Sequence, residues 1–233
     1  MKITLRYFSV IGRAQPLRHA LFDAQKEFHD LQITLPEWSA HKEDPGFAGI
    51  FSGLPTLSWG EDTICETLAI SSFLARRLGH YQGLSDAEVS HLEAVCSNCY
   101  TEVLLRLGEL IWADLIYPGQ GQGANVAAAL PMLLGRMLDK MGRLEAAASD
   151  AGWFGRSAPS MADFFAAEAV EALLYLLGEP EALRQRLPRL VALSRRIRER
   201  PSLAAAFLAR PVQFTVRPDE AAVITRLRAA VVT

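Results

Sequence analysis

The residues best placed to do chemistry together are Tyr7, the pair Leu54-Pro55 and the pair Glu66-Thr67. Tyr7 closes a run of β-branched and aromatic residues and stands just before Gly12-Arg13. A strand end facing a helix N-terminus is where α/β folds put ligands. A tyrosine hydroxyl, with an ordinary pKa of about 10, keeps its proton at neutral pH and can donate it to a thiolate. A hydrogen bond to a charged acceptor contributes roughly 1.5–3 kcal/mol. At about 1.36 kcal/mol per unit, that lowers a thiol pKa from about 8.5 by one to two units. The thiolate is the nucleophile. Taken alone, a strand tyrosine is a packing residue; the two pairs give it a chemical reading. Leu54-Pro55 leads into the strand-like run Thr56 to Trp59. Proline there has no N–H for a sheet ladder. A turn at that point leaves the N–H and C=O of the preceding residue free for a peptide-like ligand. Glu66-Thr67 then opens the apolar helical run Leu68, Ala69, Ile70, Phe73, Leu74. An acid and a hydroxyl at a helix N-terminus can hold a ligand's charged end.

The elements that must position these residues follow from periodicity. Ile3 to Ser9 reads as a strand, Ala14 to Gln25 as a helix with Leu17, Ala20, Leu21 and Ala24 at helical spacing, and Phe28 to Leu35 as a second strand. Pro36 to Ser52 reads as loop with a short helical piece. Thr56 to Trp59 and a return at Thr63-Ile64 suggest a hairpin, and Glu66 to Leu78 a helix. The order βαβ then ββα within about 80 residues is thioredoxin-like. Gly79 to Ser85 has linker composition, and beyond it the pattern changes to long helices. These are Asp86 to about Tyr117, Asn125 to about Ser149, Ser160 to Leu177, Pro188 to Glu199, a short one from Pro201 to Leu208, and Asp219 to Val231. The run Pro118-Gly119-Gln120-Gly121-Gln122-Gly123 is a break, and Pro131 must kink its helix or mark its true start. The expected architecture is α/β plus all-α. A thioredoxin-like domain spans residues 1–80 and an all-helical domain spans residues 86–233. Ser160-Met161-Ala162-Asp163 has capping-box spacing before an apolar run. Losing Asp163 should cost on the order of 1 kcal/mol or more.

Bulk numbers exclude several classes. Half of the 233 residues are hydrophobic, so a substantial core can form. Net charge is −2, which argues against an electrostatic nucleic-acid binder. Arginines cluster between Arg184 and Arg200, but Leu187, Leu190, Leu193, Ile197 and Glu199 interleave, as on a solvated helix face. Met1-Lys2-Ile3-Thr4 does not open a signal peptide, and no apolar run is long enough to span a bilayer. Three cysteines make no disulfide scaffold. The expected setting is cytoplasmic, with no membrane and no nucleic-acid partner.

Tyr7-Phe8-Ser9-Val10-Ile11-Gly12-Arg13-Ala14-Gln15-Pro16-Leu17-Arg18 resembles the N-terminal motif of the tyrosine-type cytosolic glutathione transferases, the alpha, mu, pi and sigma classes. The resemblance takes in the Leu-Pro turn, the acid–hydroxyl pair, the helical second half and the Ser-x-x-Asp box. It implies that the chain activates the thiol of glutathione for attack on a small hydrophobic electrophile, with glutathione as co-substrate and no metal. It implies that Tyr7 is catalytic, that Leu54 pairs its backbone with the cysteinyl part and that Pro55 is a cis-proline. Glu66 and Thr67 match the pair at the γ-glutamyl end, Trp38 and Lys42 positions that contact the glycyl carboxylate, and Arg13 a residue near the thiol or the partner subunit. A homodimer is implied, the first half of each subunit against the second half of the other.

An electrophile pocket is expected from Phe8, Val10, Leu104, Leu107, Gly108 and Ile111. Phe207, Val212 and Phe214 are candidates for its cover. Three departures stand out. Glu66-Thr67 replaces the usual Gln-Ser pair. Gly53 stands where pi-type enzymes have glutamine. Cys96-Ser97-Asn98-Cys99 holds no acid where an aspartate often reaches across the dimer, and Glu102 lies one turn away. Ser9 or backbone N–H groups near Ile11 are rivals to Tyr7 for the thiolate. Cys96-x-x-Cys99 lies mid-helix, where small buried residues are expected rather than a redox pair. The five histidines show no metal-ligand spacing. Two other readings stay open: a glutathione-dependent isomerase or peroxidase on the same scaffold, and a non-catalytic binding or interaction protein.

Overall fold

The computed structural model describes residues 2–116, 122–150, 152–155, 157–178 and 180–232. Four strands form one sheet in the order β2-β1-β3-β4: β1 Ile3–Phe8, β2 His29–Ile33, β3 Thr56–Trp59 and β4 Asp62–Cys65. β1 runs parallel to β2, pairing Tyr7 with Gln32. It runs antiparallel to β3, pairing Arg6 with Thr56. β1 is central and covered on both faces, which is why Ile3, Thr4, Leu5 and Tyr7 are all buried. The crossover from β1 to β2 is α1, Gln15–Asp23, which carries a proline in its first turn. Leu17, Ala20 and Leu21 on it are fully buried.

Two short helices fill the expected loop, α2 Leu35–His41 and α3 Pro45–Ala48. Thr34 and Glu37 close a capping box on α2. After the β3–β4 hairpin, α4 runs Thr67–Arg77. This is the thioredoxin-like βαβ-ββα order.

Helices make up the rest. α5 Asp86–Cys99 passes through a π-helical turn at Tyr100–Leu104 into α6, Leu105–Ile116. Cys96 and Cys99 are buried on α5, and burial pushes the Cys96 thiol up to about 12. A thiol held that far from ionisation is inert, as expected of small buried residues. The expected break at Pro118 to Gly123 falls largely at 117–121, outside the described residues. α7 then runs Gln122–Ala147 with Pro131 inside it. The proline stands inside the helix and does not start it. A buried stripe of Leu130, Leu134, Met137, Met141 and Leu144 carries the helix past the missing N–H.

α8, Met161–Leu177, is the central helix of this half. Asp163 accepts the N–H and the O–H of Ser160 at 2.8 Å each, and the Phe154 N–H at 2.9 Å. The expected capping box is therefore present and fully buried. Gly178 ends α8 at φ +65°. α9 Pro180–Arg186, absent from the sequence expectation, precedes α10 Pro188–Arg198. A 3-10 turn at Pro201–Leu203 leads into α11 Ala204–Leu208, and α12 is Glu220–Val232. α1 packs against α8, so the two halves share one interface. No helix among the described residues is long and apolar enough to cross a membrane.

Candidate active site

The end of β1 delivers Tyr7 to the floor of a cavity of about 380 Å³. Its walls include Phe8, Val10, Gly12, Arg13, Trp38, Gly53 and Leu54 from the sheet half. Leu104, Gly108, Glu109 and Trp112 face them from the π turn and α6, and Phe214, Thr215 and Val216 from the segment before α12. The site thus lies between the two halves of the chain.

The Tyr7 hydroxyl accepts the backbone N–H of Arg13 at 3.1 Å. One lone pair is engaged, so the hydroxyl proton is free to be donated elsewhere. Burial raises the Tyr7 pKa, outweighing the Arg13 N–H and the charges of Arg13 and Arg18, which lower it. The group therefore stays protonated, as a hydrogen-bond donor must. The Arg18 guanidinium sits 5.8 Å from the Tyr7 ring centroid. Arg18 is buried, and its Nη1 and Nη2 donate to the carbonyls of Val10 at 2.9 Å and Phe8 at 3.1 Å. Asp30 on β2 pairs with its Nε at 3.0 Å. This arginine fixes the loop that follows Tyr7, a role its place in the motif did not reveal. Ser9 is exposed and donates to Gln32 at 2.7 Å, outside the cavity wall.

Leu54 precedes a cis bond to Pro55 and lies just ahead of β3. The Gly53 N–H donates to Ala48, and the ladder takes up only at Thr56, so the Leu54 backbone stands outside both. Glu66 caps α4 at φ +70°. Such a conformation costs a non-glycine residue of order 1–3 kcal/mol and is characteristic of ligand sites. A Cβ on Gly53 would lie 3.9 Å from Glu66 Oε1, so the carboxylate faces the Leu-Pro turn. Thr67 is 2 % exposed, and its hydroxyl has no hydrogen-bond partner among the described residues. An orphaned buried hydroxyl at the N-terminus of an eleven-residue helix is an opening for an anionic group. Trp38 and Lys42 are spaced one turn apart at α2. Trp38 sits edge-on to Phe8 at 6.2 Å, and Lys42 is exposed, outside the cavity wall.

The expected pocket residues divide. Phe8, Val10, Leu104, Gly108 and Phe214 line the cavity; Leu107, Ile111 and Phe207 do not. Leu107 and Ile111 are fully buried. The most apolar stripe of an amphipathic helix packs into the protein core. The cavity takes the neighbouring, less apolar stripe with Leu105, Glu109 and Trp112, which periodicity alone had passed over. Phe207 lies against His19 at 4.8 Å between centroids, with Arg198 and Arg210 over its ring. Val212 is 85 % exposed. Glu102 makes a bidentate ion pair with Arg136 on α7, both bonds 2.8 Å. Among the described residues no group of three or more His, Cys, Asp and Glu is arranged for a metal ion.

The tail before α12 returns to the site. Gln213 and Phe214 carbonyls accept the N–H groups of Ile11 at 2.9 Å and Gly12 at 3.0 Å. No sequence signal foretold this pairing across the length of the chain.

Residues 111–210 match the family model of the glutathione S-transferase C-terminal domain. Glutathione S-transferase P 1 of Xenopus laevis is 29% identical over 110 residues, 47% of this chain and 51% of that protein. That alignment spans about half the relative's length. S-crystallin SL11 of Nototodarus sloanii is 27% identical over 87% of this chain and 93% of its own. The hematopoietic prostaglandin D synthase of Gallus gallus is 25% identical over 89% of this chain and 96% of its own. Among solved structures, the pi-class glutathione S-transferase of Onchocerca volvulus superposes with a TM-score of 0.68 at 25% identity, covering 89% of this chain and 93% of that one. These relatives belong to several classes and single out none. The fold, the C-terminal match and these relatives make the chain similar to the cytosolic glutathione S-transferases.

Proposed function

We propose that the chain is a glutathione transferase in which Tyr7 holds the glutathione sulfur as thiolate. The observation that carries this reading is the Tyr7 hydroxyl, buried at the cavity floor, fixed by the Arg13 N–H and left with its own proton to give. The Leu54 backbone pairs with the cysteinyl part, and Glu66 with the α-ammonium. Thr67 supplies its unpartnered hydroxyl and an N–H to the α-carboxylate. Trp38 and Lys42 receive the glycyl end, and Arg13 lies near the thiol. Residues 1–80 carry these contacts; residues 86–233 supply most of the acceptor side. The sulfur attacks an electrophilic carbon held against Phe8, Val10, Leu104, Gly108 and Phe214. A C–S bond forms, and the electron pair leaves with the departing group or takes up a proton. The thiol proton is lost to water before attack, because Tyr7 donates a hydrogen bond and keeps its proton. The chain's part is positioning and pKa lowering.

A homodimer fits the same reading. Ile50 and Phe51, just before the Leu-Pro turn, are 77 % and 67 % exposed in the single chain. Large apolar side chains at that exposure seek a partner surface. A cytoplasmic setting is in keeping with a reduced thiol co-substrate and three free cysteines.

Two relatives keep other readings in play. The prostaglandin D synthase favours an isomerase, and the S-crystallin favours a chain that kept the fold without the chemistry. The deciding experiment is conjugation of glutathione to a generic aryl halide by the native protein and by Tyr7→Phe. The expected loss in the variant is about tenfold or more, the worth of one charge-assisted hydrogen bond. A fully active variant moves the role to Ser9 or to backbone N–H groups near Ile11. Glutathione binding without any conjugation favours the isomerase or the non-catalytic reading.

A further inference from the structure

We propose that Glu220 is a positioning residue for Tyr7, acting through the strip Gln213–Thr215; this rests on the role of Tyr7 given above. Glu220 is the first residue of α12 and is completely buried. Its carboxylate accepts the Phe214 N–H and the Thr215 N–H at 2.6 Å each, together with the hydroxyls of Thr215 and Tyr175. A buried carboxylate is stable only when its lone pairs are filled, and four donors fill these. The result is mutual: the donors fix the carboxylate, and the carboxylate fixes the strip.

The strip's carbonyls then point at the loop after β1. Gln213 takes the Ile11 N–H and Phe214 takes the Gly12 N–H. The next N–H along, that of Arg13, donates to the Tyr7 hydroxyl. Three successive N–H groups are thereby committed, two to the tail and one to Tyr7. Arg18 holds the carbonyls of the same loop from the other side. With the carbonyls fixed locally, the aim of the N–H groups depends on a segment some 200 positions away in the chain. A displacement of the strip passes through Gly12 to the Arg13 N–H and so to the hydroxyl proton of Tyr7. Shifts of about 1 Å at a reacting group are enough to cost orders of magnitude in rate. Phe214, Thr215 and Val216 also line the cavity, so one buried carboxylate sets both the cavity wall and the hydrogen-bond donor. Arg217 ties the strip to the Ile111 carbonyl at 2.6 Å without using Glu220, so the tail keeps an anchor when Glu220 is changed.

The test is the pKa of the thiol of bound glutathione, read from thiolate absorbance against pH. Native protein, Glu220→Gln, Glu220→Ala and Tyr7→Phe are titrated side by side. Glutamine keeps one acceptor oxygen and turns an N–H pair against the other, so its effect should be the smaller. Both Glu220 variants are expected to raise the thiol pKa, the alanine by about one unit, a tenfold fall in the thiolate-to-thiol ratio. Glutathione Kd, measured below the bound thiol pKa of the native protein so that every variant holds the protonated thiol, should stay within about a factor of two, because no contact with glutathione is removed. The loss should appear in kcat rather than in KM for glutathione. A folded Glu220 variant with the native thiol pKa overturns the proposal. So does a pKa shift accompanied by a loss of glutathione binding of about tenfold at that low pH, which would mark general damage to the site. Tyr7→Phe keeps the two ideas apart. If it leaves the thiol pKa unchanged, the role of Tyr7 fails, and this inference with it. If it raises the pKa and the Glu220 variants do not, the positioning role alone fails. Where the alanine variant does not fold, Glu220→Gln and Glu220→Asp decide by the same criterion.

Discussion

The space a Cβ would need at Gly12 is occupied by the hydroxyl of Tyr7. Built on the Gly12 backbone, such an atom would overlap Tyr7 Oη and lie 2.9 Å from Cε1. Gly12 also sits at φ +41°, where an L side chain is strained. Glycine at this position is therefore what lets the loop close over the tyrosine. Gly12→Ala should lose about 1–3 kcal/mol from backbone strain alone. It should also push Tyr7 off the cavity floor and cut conjugation as deeply as Tyr7→Phe does. Thermal unfolding and the aryl halide assay check both halves; a destabilised but fully active variant would break the link between the glycine and the tyrosine.

Thr67 offers a cleaner probe of the ligand site. Its hydroxyl has no partner among the described residues, so removing it takes away no hydrogen bond found there. Thr67→Val should leave the melting temperature unchanged or raise it, since a buried unpaired hydroxyl is a cost. Glutathione affinity should fall by roughly 2–10-fold, the worth of one neutral hydrogen bond. Calorimetric titration with glutathione measures it. An unchanged affinity would remove Thr67 from the site.

Phe51 tests the assembly. It is two-thirds exposed beside the Leu-Pro turn, with exposed Ile50 as its neighbour. Sedimentation of the native protein should give a dimer, and Phe51→Ser should shift it toward monomer at micromolar concentration. Native protein sedimenting as a monomer would set the homodimer aside. Glutathione binding by the monomeric variant would then report whether the partner contributes to the site.

Glu168 gives a pH signature of the helical core. It is 1% exposed, its Oε2 is 2.8 Å from Arg210 Nη2, and its Oε1 is 3.6 Å from Nδ1 of fully buried His19. Burial pushes its carboxyl from the ordinary 4.5 up to about 7, outweighing the pull of Arg210. Burial likewise holds His19 neutral, its pKa well below the ordinary value. A carboxyl with a raised folded pKa binds its proton more tightly in the folded state. Its contribution to stability therefore falls as pH rises from about 4.5 to about 7. Glu168→Gln cannot titrate. Relative to that variant the native protein should lose up to about 3 kcal/mol across this window. Urea unfolding of both proteins at several pH values reads the difference. A gap that does not change with pH would mean that Glu168 stays ionised on Arg210.

Much of this was legible along the chain because it is local. Tyr7 at a strand end, the Leu54-Pro55 turn, the Glu66-Thr67 helix start and the Ser160–Asp163 box are short-range patterns, and each sits in the element its residues predict. Periodicity could not separate the core stripe of α6 from the cavity stripe. Leu107 and Ile111 are as apolar as a pocket wall, and the protein interior claims them first. Helix α9 has little apolar pattern of its own and depends on the packing around it.

Residue types and spacing determined the order of elements and the place of Tyr7 at the end of the first strand, because turns, caps and helical stripes are set by neighbours a few positions apart. Tertiary structure decided which side chains meet in the cavity. It brought Phe214 back to Gly12, set Glu220 under the strip and left the Thr67 hydroxyl without a partner among the described residues. Those contacts join residues far apart in sequence. Their energy depends on desolvation and on hydrogen-bond geometry, and neither exists until the chain has folded.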